Sequence, residues 1–132
     1  MKVLSVAGFG PIVSDKQASR AFYGSTLGVP LEGGDSYLPA QHLDGVKHFA
    51  LWLLSGAAQS CFGMPTWPED LSVPQGWIEF EVDDLAAATA ELEKKGYRIL
   101  ARAKQEPWGQ LVTRLLSPEG LLVGVTIHPP SS

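Results

Sequence analysis

Apolar and polar positions along the chain run twice through the same order. Residues 4–13 have strand character and end at Ser14-Asp15, residue types that cap a helix N-terminus. Ala18, Ala21, Phe22 and Leu27 recur near the 3.6-residue period and predict a helix, closed by Gly28. After Val29-Pro30-Leu31 and the Gly33-Gly34 turn, residues 36–43 and 46–54 read as strands. Asp44-Gly45 between them is a strong two-residue hairpin signal. Residues 55–75 hold Gly56, Gly63, Pro65, Pro68 and Pro74 without a clean period, so they read as a loop-like connector. The order then returns: a strand at 77–82, a helix capped by Asp83-Asp84 with Leu85, Ala88 and Leu92 on its buried face, and a stop at Gly96. Strands at 97–101, 108–116 and 121–128 follow, the last two joined by a turn at 118–120 and the last ended by Pro129-Pro130.

Val13-Ser14-Asp15 matches Val82-Asp83-Asp84, and Gly28 matches Gly96, at an offset of about 68 residues. The pattern therefore predicts an α+β fold, one domain over residues 1–132. It divides into module one (1–55), a connector (56–75) and module two (76–130), each module in βαβββ order. A helix covers one face of each sheet, and the other faces meet across a cleft. Strand alternation assigns Ile78, Phe80 and Val82, with Val123, Val125 and Ile127, to the helix side. Phe9, Pro11 and Val13, with Phe49, Leu51 and Leu53, join them. Gly8, Gly10, Ile12, His48, Ala50, Trp52, Trp77, Glu79, Glu81, Leu122, Gly124, Thr126 and His128 then face the cleft.

Composition narrows the classes. Fourteen acidic against ten basic residues leave a formal charge of −4, which opposes binding to a phosphate backbone. At this length a chain buries about two-thirds of its surface, enough for one core without staples. A single cysteine, Cys61, forms no internal disulfide, and no apolar run approaches a membrane span or a signal segment. A cytoplasmic protein with no nucleic-acid or membrane partner is expected. Gly8-Phe9-Gly10 lacks the third glycine of a dinucleotide site, and no Gly-x-Ser-x-Gly elbow is present.

Two βαβββ modules, Val13-Ser14-Asp15 before Ala-Phe-Tyr-Gly-Ser-Thr-Leu-Gly at 21–28, and Glu106-Pro107-Trp108-Gly109-Gln110 before Ser117-Pro118-Glu119-Gly120 together resemble the vicinal oxygen chelate superfamily. Glyoxalases, extradiol dioxygenases and bleomycin-resistance proteins are its members. The resemblance implies a paired, incomplete eight-stranded barrel around a cleft, a small-molecule ligand and a homodimer. It also implies a divalent metal held by His, Gln or Glu at positions that fall here on Gly8, Trp77 and Gly124. None of these side chains ligates a metal, and Ser117 and Leu121 replace the family's aspartate and asparagine. His42 and His48 fall on opposite faces of the hairpin, which leaves His48 with Glu79 or Glu81 as the one improvised site on paper.

The expectation is accordingly a protein with no cofactor or metal, sequestering an aromatic or cationic ligand such as an antibiotic or toxic metabolite. Trp52 and Trp77 stack on it, while Glu79 and Glu81 neutralise its charge. His48, Trp108, Leu122 and Gly124 complete the wall. Arg114 reads by default as a plain surface arginine, with a ligand anion or Glu79 as the partners it could reach. Trp67, in Pro65-Thr66-Trp67-Pro68, either lids the cleft or crosses a dimer interface. The alternative is a lyase, isomerase or dioxygenase with a non-standard metal site or with Glu79 as general base.

Overall fold

The computed structural model describes residues 1–127, so the expected place of His128 lies outside them. Seven strands form one curled mixed sheet in the spatial order β2-β3-β1-β4-β7-β6-β5. Their ranges are β1 Val3–Val13, β2 Tyr37–Pro39, β3 Ala50–Leu53, β4 Gly76–Val82, β5 Ala101–Gln105, β6 Leu111–Leu116 and β7 Leu122–Ile127. The helices are α1 Lys16–Arg20, continued by a π-helical turn over Ala21–Thr26, α2 Leu54–Phe62 and α3 Leu85–Lys94. β1 runs parallel to β3, β4 runs parallel to β7, and the two modules join edge to edge through the antiparallel β1–β4 pair. The result is a half-barrel of paired βαβββ modules. The eighth strand expected in module one is reduced to a single bridge, Leu31 to Ala40.

Asp15 and Asp84 cap their helices by accepting from the amides of Ala18 and Ala87, each at 3.0 Å. Gly28 and Gly96 end them at φ +81° and +87°, a region that favours glycine. Strand alternation carries through to packing. Val82 and Val125 pack with Leu85 and Ala88 under α3, and Val13, Leu38 and Leu51 pack with Tyr23 on the other convex face.

Five local expectations change. The hairpin register set by Asp44-Gly45 persists as Tyr37 to Trp52, Leu38 to Leu51 and Pro39 to Ala50, yet its strands shrink to three and four residues. His42 adopts φ 57°, which breaks the ladder. The strand expected at 97–101 starts at Ala101 instead, and Trp108 belongs to the turn before β6 rather than to a strand. Ala18, Ala21, Phe22 and Leu27 are exposed, because Leu27 N–H bonds Phe22 C=O five residues back and this wider winding turns Tyr23 inward. Residues 54–62, the last residue of the expected strand at 46–54 and the start of the loop-like stretch, form α2. Its buried residues are Ala57, Ala58, Ser60 and Cys61, small side chains that give a weak periodic signal.

The placement of α2 decides the character of the concave face. Ala57, Ala58 and Cys61 pack with Ile12, Ala50, Trp52, Trp77 and Leu122, and Trp67 folds back onto the same cluster. Trp67 is buried, donates to Ser72 C=O at 3.0 Å and meets Phe62 edge-on. The hollow of the half-barrel is thus a third core, plugged by the connector.

Candidate functional site

The concave face begins from two close approaches. Gly10 lies between Ala50 and Trp77; a Cβ there would sit 1.9 Å from the Ala50 carbonyl oxygen. The missing side chain lets β1 and β3 close up, and the Trp77 indole N–H donates to that same carbonyl at 3.2 Å. Over Gly8, the Trp77 ring and the His48 Cβ fill the space, each 3.1 Å from where a Cβ would stand. Tyr37, His48, Trp52 and Trp77 form a continuous aromatic group with ring centroids 5.5 to 6.4 Å apart. The Tyr37 hydroxyl bonds His48 Nε2. Burial first, and the nearby Glu79 carboxylate second, raise the Tyr37 pKa and keep its hydroxyl protonated.

Module two supplies a buried polar network. Arg114 is 1% exposed. Its Nη1 donates to Glu79 Oε2 at 2.8 Å and its Nε donates to Ser60 Oγ at 3.2 Å. Glu106 Oε1 lies 3.9 Å from Nε, and the guanidinium sits 4.8 Å over the Trp52 ring. The Ser60 hydroxyl also donates to Glu106, while Lys104 donates to Ser60 C=O at 2.6 Å. Gln110 donates to Glu79 Oε1 at 2.8 Å and to Thr126 at 3.0 Å, and accepts from the Trp108 indole at 2.8 Å. No buried side-chain nitrogen or oxygen among the described residues lacks a partner. Such a network rigidifies the face it belongs to.

The expected site residues therefore divide. Trp52, Trp77, Glu79, Arg114, Leu122 and Gly124 do converge, but as a closed core: Trp52 and Trp77 are 5% and 3% exposed, and no face is left for a planar ligand to stack on. Arg114 is buried rather than the surface arginine expected by default, and of its two reachable partners the structure selects Glu79. Both Glu79 oxygens accept hydrogen bonds, Oε1 from Gln110 and Oε2 from Arg114. His48, Glu81 and Trp108 are reachable from solvent at the rim. Trp108 is 61% exposed with its N–H held by Gln110, and Glu81 accepts from Ser5 at 3.0 Å. An indentation of about 310 Å³ lies in the 40–49 hairpin beside His48, and one of about 300 Å³ lies between Ile12, Tyr23 and Gln75.

Tyr37, Ser60 and Glu106 are the members that sequence reasoning passed over. Tyr37 was legible, since it stands opposite Trp52 in the predicted hairpin register. Ser60 had no signal, because its helix is hidden by small residues.

The residues present do not fit a divalent metal. Gly8, Trp77 and Gly124 offer no donor, Glu79 is engaged by Arg114 and Gln110, and no three His, Cys, Asp or Glu side chains among the described residues gather as a metal needs.

Cys61 is a buried free thiol. Burial pushes its thiol pKa up to about 11, against a lowering by Arg114. A raised thiol pKa favours the folded state below the ordinary thiol range, and that contribution is lost as pH rises toward about 11. Near neutral pH the native thiol is expected to react with an aromatic disulfide reagent at least about 100-fold more slowly than the urea-unfolded chain. Equal rates would show that the Cys61 face of α2 is not buried against the sheet.

Comparison with known proteins places this geometry. Residues 9–125 match the model of the family described as Glyoxalase/Bleomycin resistance protein/Dioxygenase superfamily. Among solved structures, a methylmalonyl-CoA epimerase from Mycobacterium tuberculosis superposes with TM-score 0.62 at 17% identity, covering 98% of this chain and 91% of that one. A methylmalonyl-CoA epimerase in complex with methylmalonyl-CoA and ammonium gives 0.55 at 19%, covering 98% and 97%. A superfamily member from Vibrio splendidus 12B01 gives 0.56 at 15%, covering 96% and 99%. At these identities the likeness is one of fold. No curated protein matches the chain.

Proposed function

The chain belongs to the glyoxalase/bleomycin resistance protein/dioxygenase superfamily, and from that membership we propose that it binds a small aromatic or cationic organic molecule without a metal and without a covalent step. An antibiotic or toxic metabolite is the class of compound such sequestration serves. The observation that carries this is the chemistry at positions 8, 77 and 124: glycine, indole and glycine stand where a chelating relative needs donors, and the nearest carboxylate is bound to Arg114. The ligand sits at the rim. Trp108 offers an open ring face, His48 stacks on Tyr37, and Glu81 enters no ion pair among the described residues. Trp52, Trp77, Glu79, Arg114, Leu122 and Gly124 act beneath it as the rigid floor.

We further propose a cytoplasmic homodimer. An uncovered apolar stripe on the convex face, Val3, Val6 and Phe9, each more than 40% exposed, supports pairing. The chain's lone thiol and the lack of a membrane-length apolar helix among the described residues are compatible with that location.

The test is a fluorescence titration with planar aromatic cations, such as ethidium and berberine, on the wild type and on Trp108→Ala. Saturable quenching is expected in the wild type, with affinity weaker by about tenfold in the variant, the value of one stacked indole. Equal affinity in both proteins, or no quenching by any compound at millimolar concentration, removes the proposal. A second reading, a proton-transfer enzyme of the lyase or isomerase kind, has the Tyr37–His48 bond in its favour, and epimerases are among the structural neighbours. Turnover of methylmalonyl-CoA by chelator-treated protein, abolished in His48→Ala, would favour it instead.

A further inference from the structure

We infer that the Arg114 guanidinium is the resident cation of this half-barrel, built into the chain at the place a chelating relative gives to its metal. Gly124 pairs with Glu79 on one side and with Arg114 on the other, so the two side chains meet above it. A Cβ at 124 would lie 2.9 Å from Glu79 Cγ and 3.4 Å from Arg114 Nη1. A donor side chain at 124 would therefore crowd the Glu79 side chain and press on the Glu79–Arg114 pair. Gly8 follows the same logic, its space being taken by the Trp77 ring.

The guanidinium sits as a bound cation would, between two carboxylates, Glu79 at 2.8 Å and Glu106 at 3.9 Å. It differs in being directional and permanent. Its planar fork reaches Glu79 from β4 and Ser60 from α2 while its face covers Trp52 from β3. One positive group thus ties both modules and the plug together, and, being part of the chain, it does not dissociate. Arg114 plays this part whether or not a ligand occupies the rim, so loss of one finding leaves the other standing.

Thermal melting of the full chain tests it. Chelator, Mn²⁺, Ni²⁺ and Zn²⁺ are expected to leave the wild-type midpoint unchanged. Arg114→Ala leaves two buried carboxylates facing a void and melts on the order of 10 °C lower. Millimolar methylguanidinium chloride raises the midpoint of Arg114→Ala through binding to the folded state, and an equal concentration of NaCl does not. If Arg114→Ala does not accumulate, the same two salts are compared by folded yield on refolding from urea. Glu79→Gln with Arg114→Met, which removes both charges, is expected to be more stable than Arg114→Ala. A wild-type midpoint that rises with a divalent ion overturns the inference. So does rescue by methylguanidinium no better than by NaCl, or a double variant no more stable than Arg114→Ala.

Discussion

Gly10→Ala is expected to abolish cooperative folding. The added Cβ would stand 1.9 Å from the Ala50 carbonyl oxygen and 2.9 Å from its carbon, both backbone atoms of the adjacent strand. No rotamer change relieves such a contact; β1 and β3 must move apart. That movement breaks the parallel β1–β3 pairing, which continues to Ile12–Trp52 and Val13–Leu53, and withdraws the Ala50 carbonyl from the Trp77 indole. The cost is about 4 kcal/mol or more, a large share of the roughly 5–15 kcal/mol that holds a domain together. Far-UV circular dichroism with a urea titration reads it directly. A variant that unfolds near the wild-type midpoint would show that β1 and β3 do not approach closely at Gly10.

Trp77→Ala should be nearly as damaging, by a different route. The indole is 3% exposed, fills the space above Gly8 and touches Tyr37, His48 and Trp52. Its removal loses apolar burial, leaves a cavity and strips the Ala50 carbonyl of its side-chain donor. About 3–5 kcal/mol of stability should go, with the urea m-value unchanged. The vacated volume is lined by rings, so added indole should recover part of the loss by binding only the folded state. A loss below about 1 kcal/mol would mean that the tryptophan does not plug the half-barrel.

Both predictions depend on residues whose faces were legible in the chain. Alternation put Trp77 and Glu79 on one side of β4 and Ile78, Phe80 and Val82 on the other, and the packing agrees for Trp77, in the concave cluster, and for Val82, under α3. Period-two alternation survives because burying one face of a strand leaves it no freedom of register. Asp44-Gly45 likewise predicted a pairing that holds from Tyr37 to Pro39, although the ladder near His42 did not form. The first helix was legible in position through Asp15 and Gly28, but not in the face it buries, because a π-helical turn changes the period on which the reading rests.

The site was harder to read than the fold. Residue types at 8, 77 and 124 were enough to remove a donor set, since glycine and indole cannot supply one whatever surrounds them. Whether the space they leave is an open cleft or a finished core depended on the connector. Its helix carries Gly56, Ala57, Ala58, Ser60 and Cys61, too small and too mixed to announce an amphipathic face.

Local chemistry along the chain settled the repeated βαβββ order, the caps, the faces of the strands and the lack of donors, because each follows from neighbours a few residues apart. Contacts between distant segments settled the rest. Ser60, Glu79, Glu106 and Arg114 come from four places in the chain, and only the curl of the sheet brings them within hydrogen-bonding reach. Burial then makes their pairing obligatory, since an isolated charge in that interior would be too costly to keep.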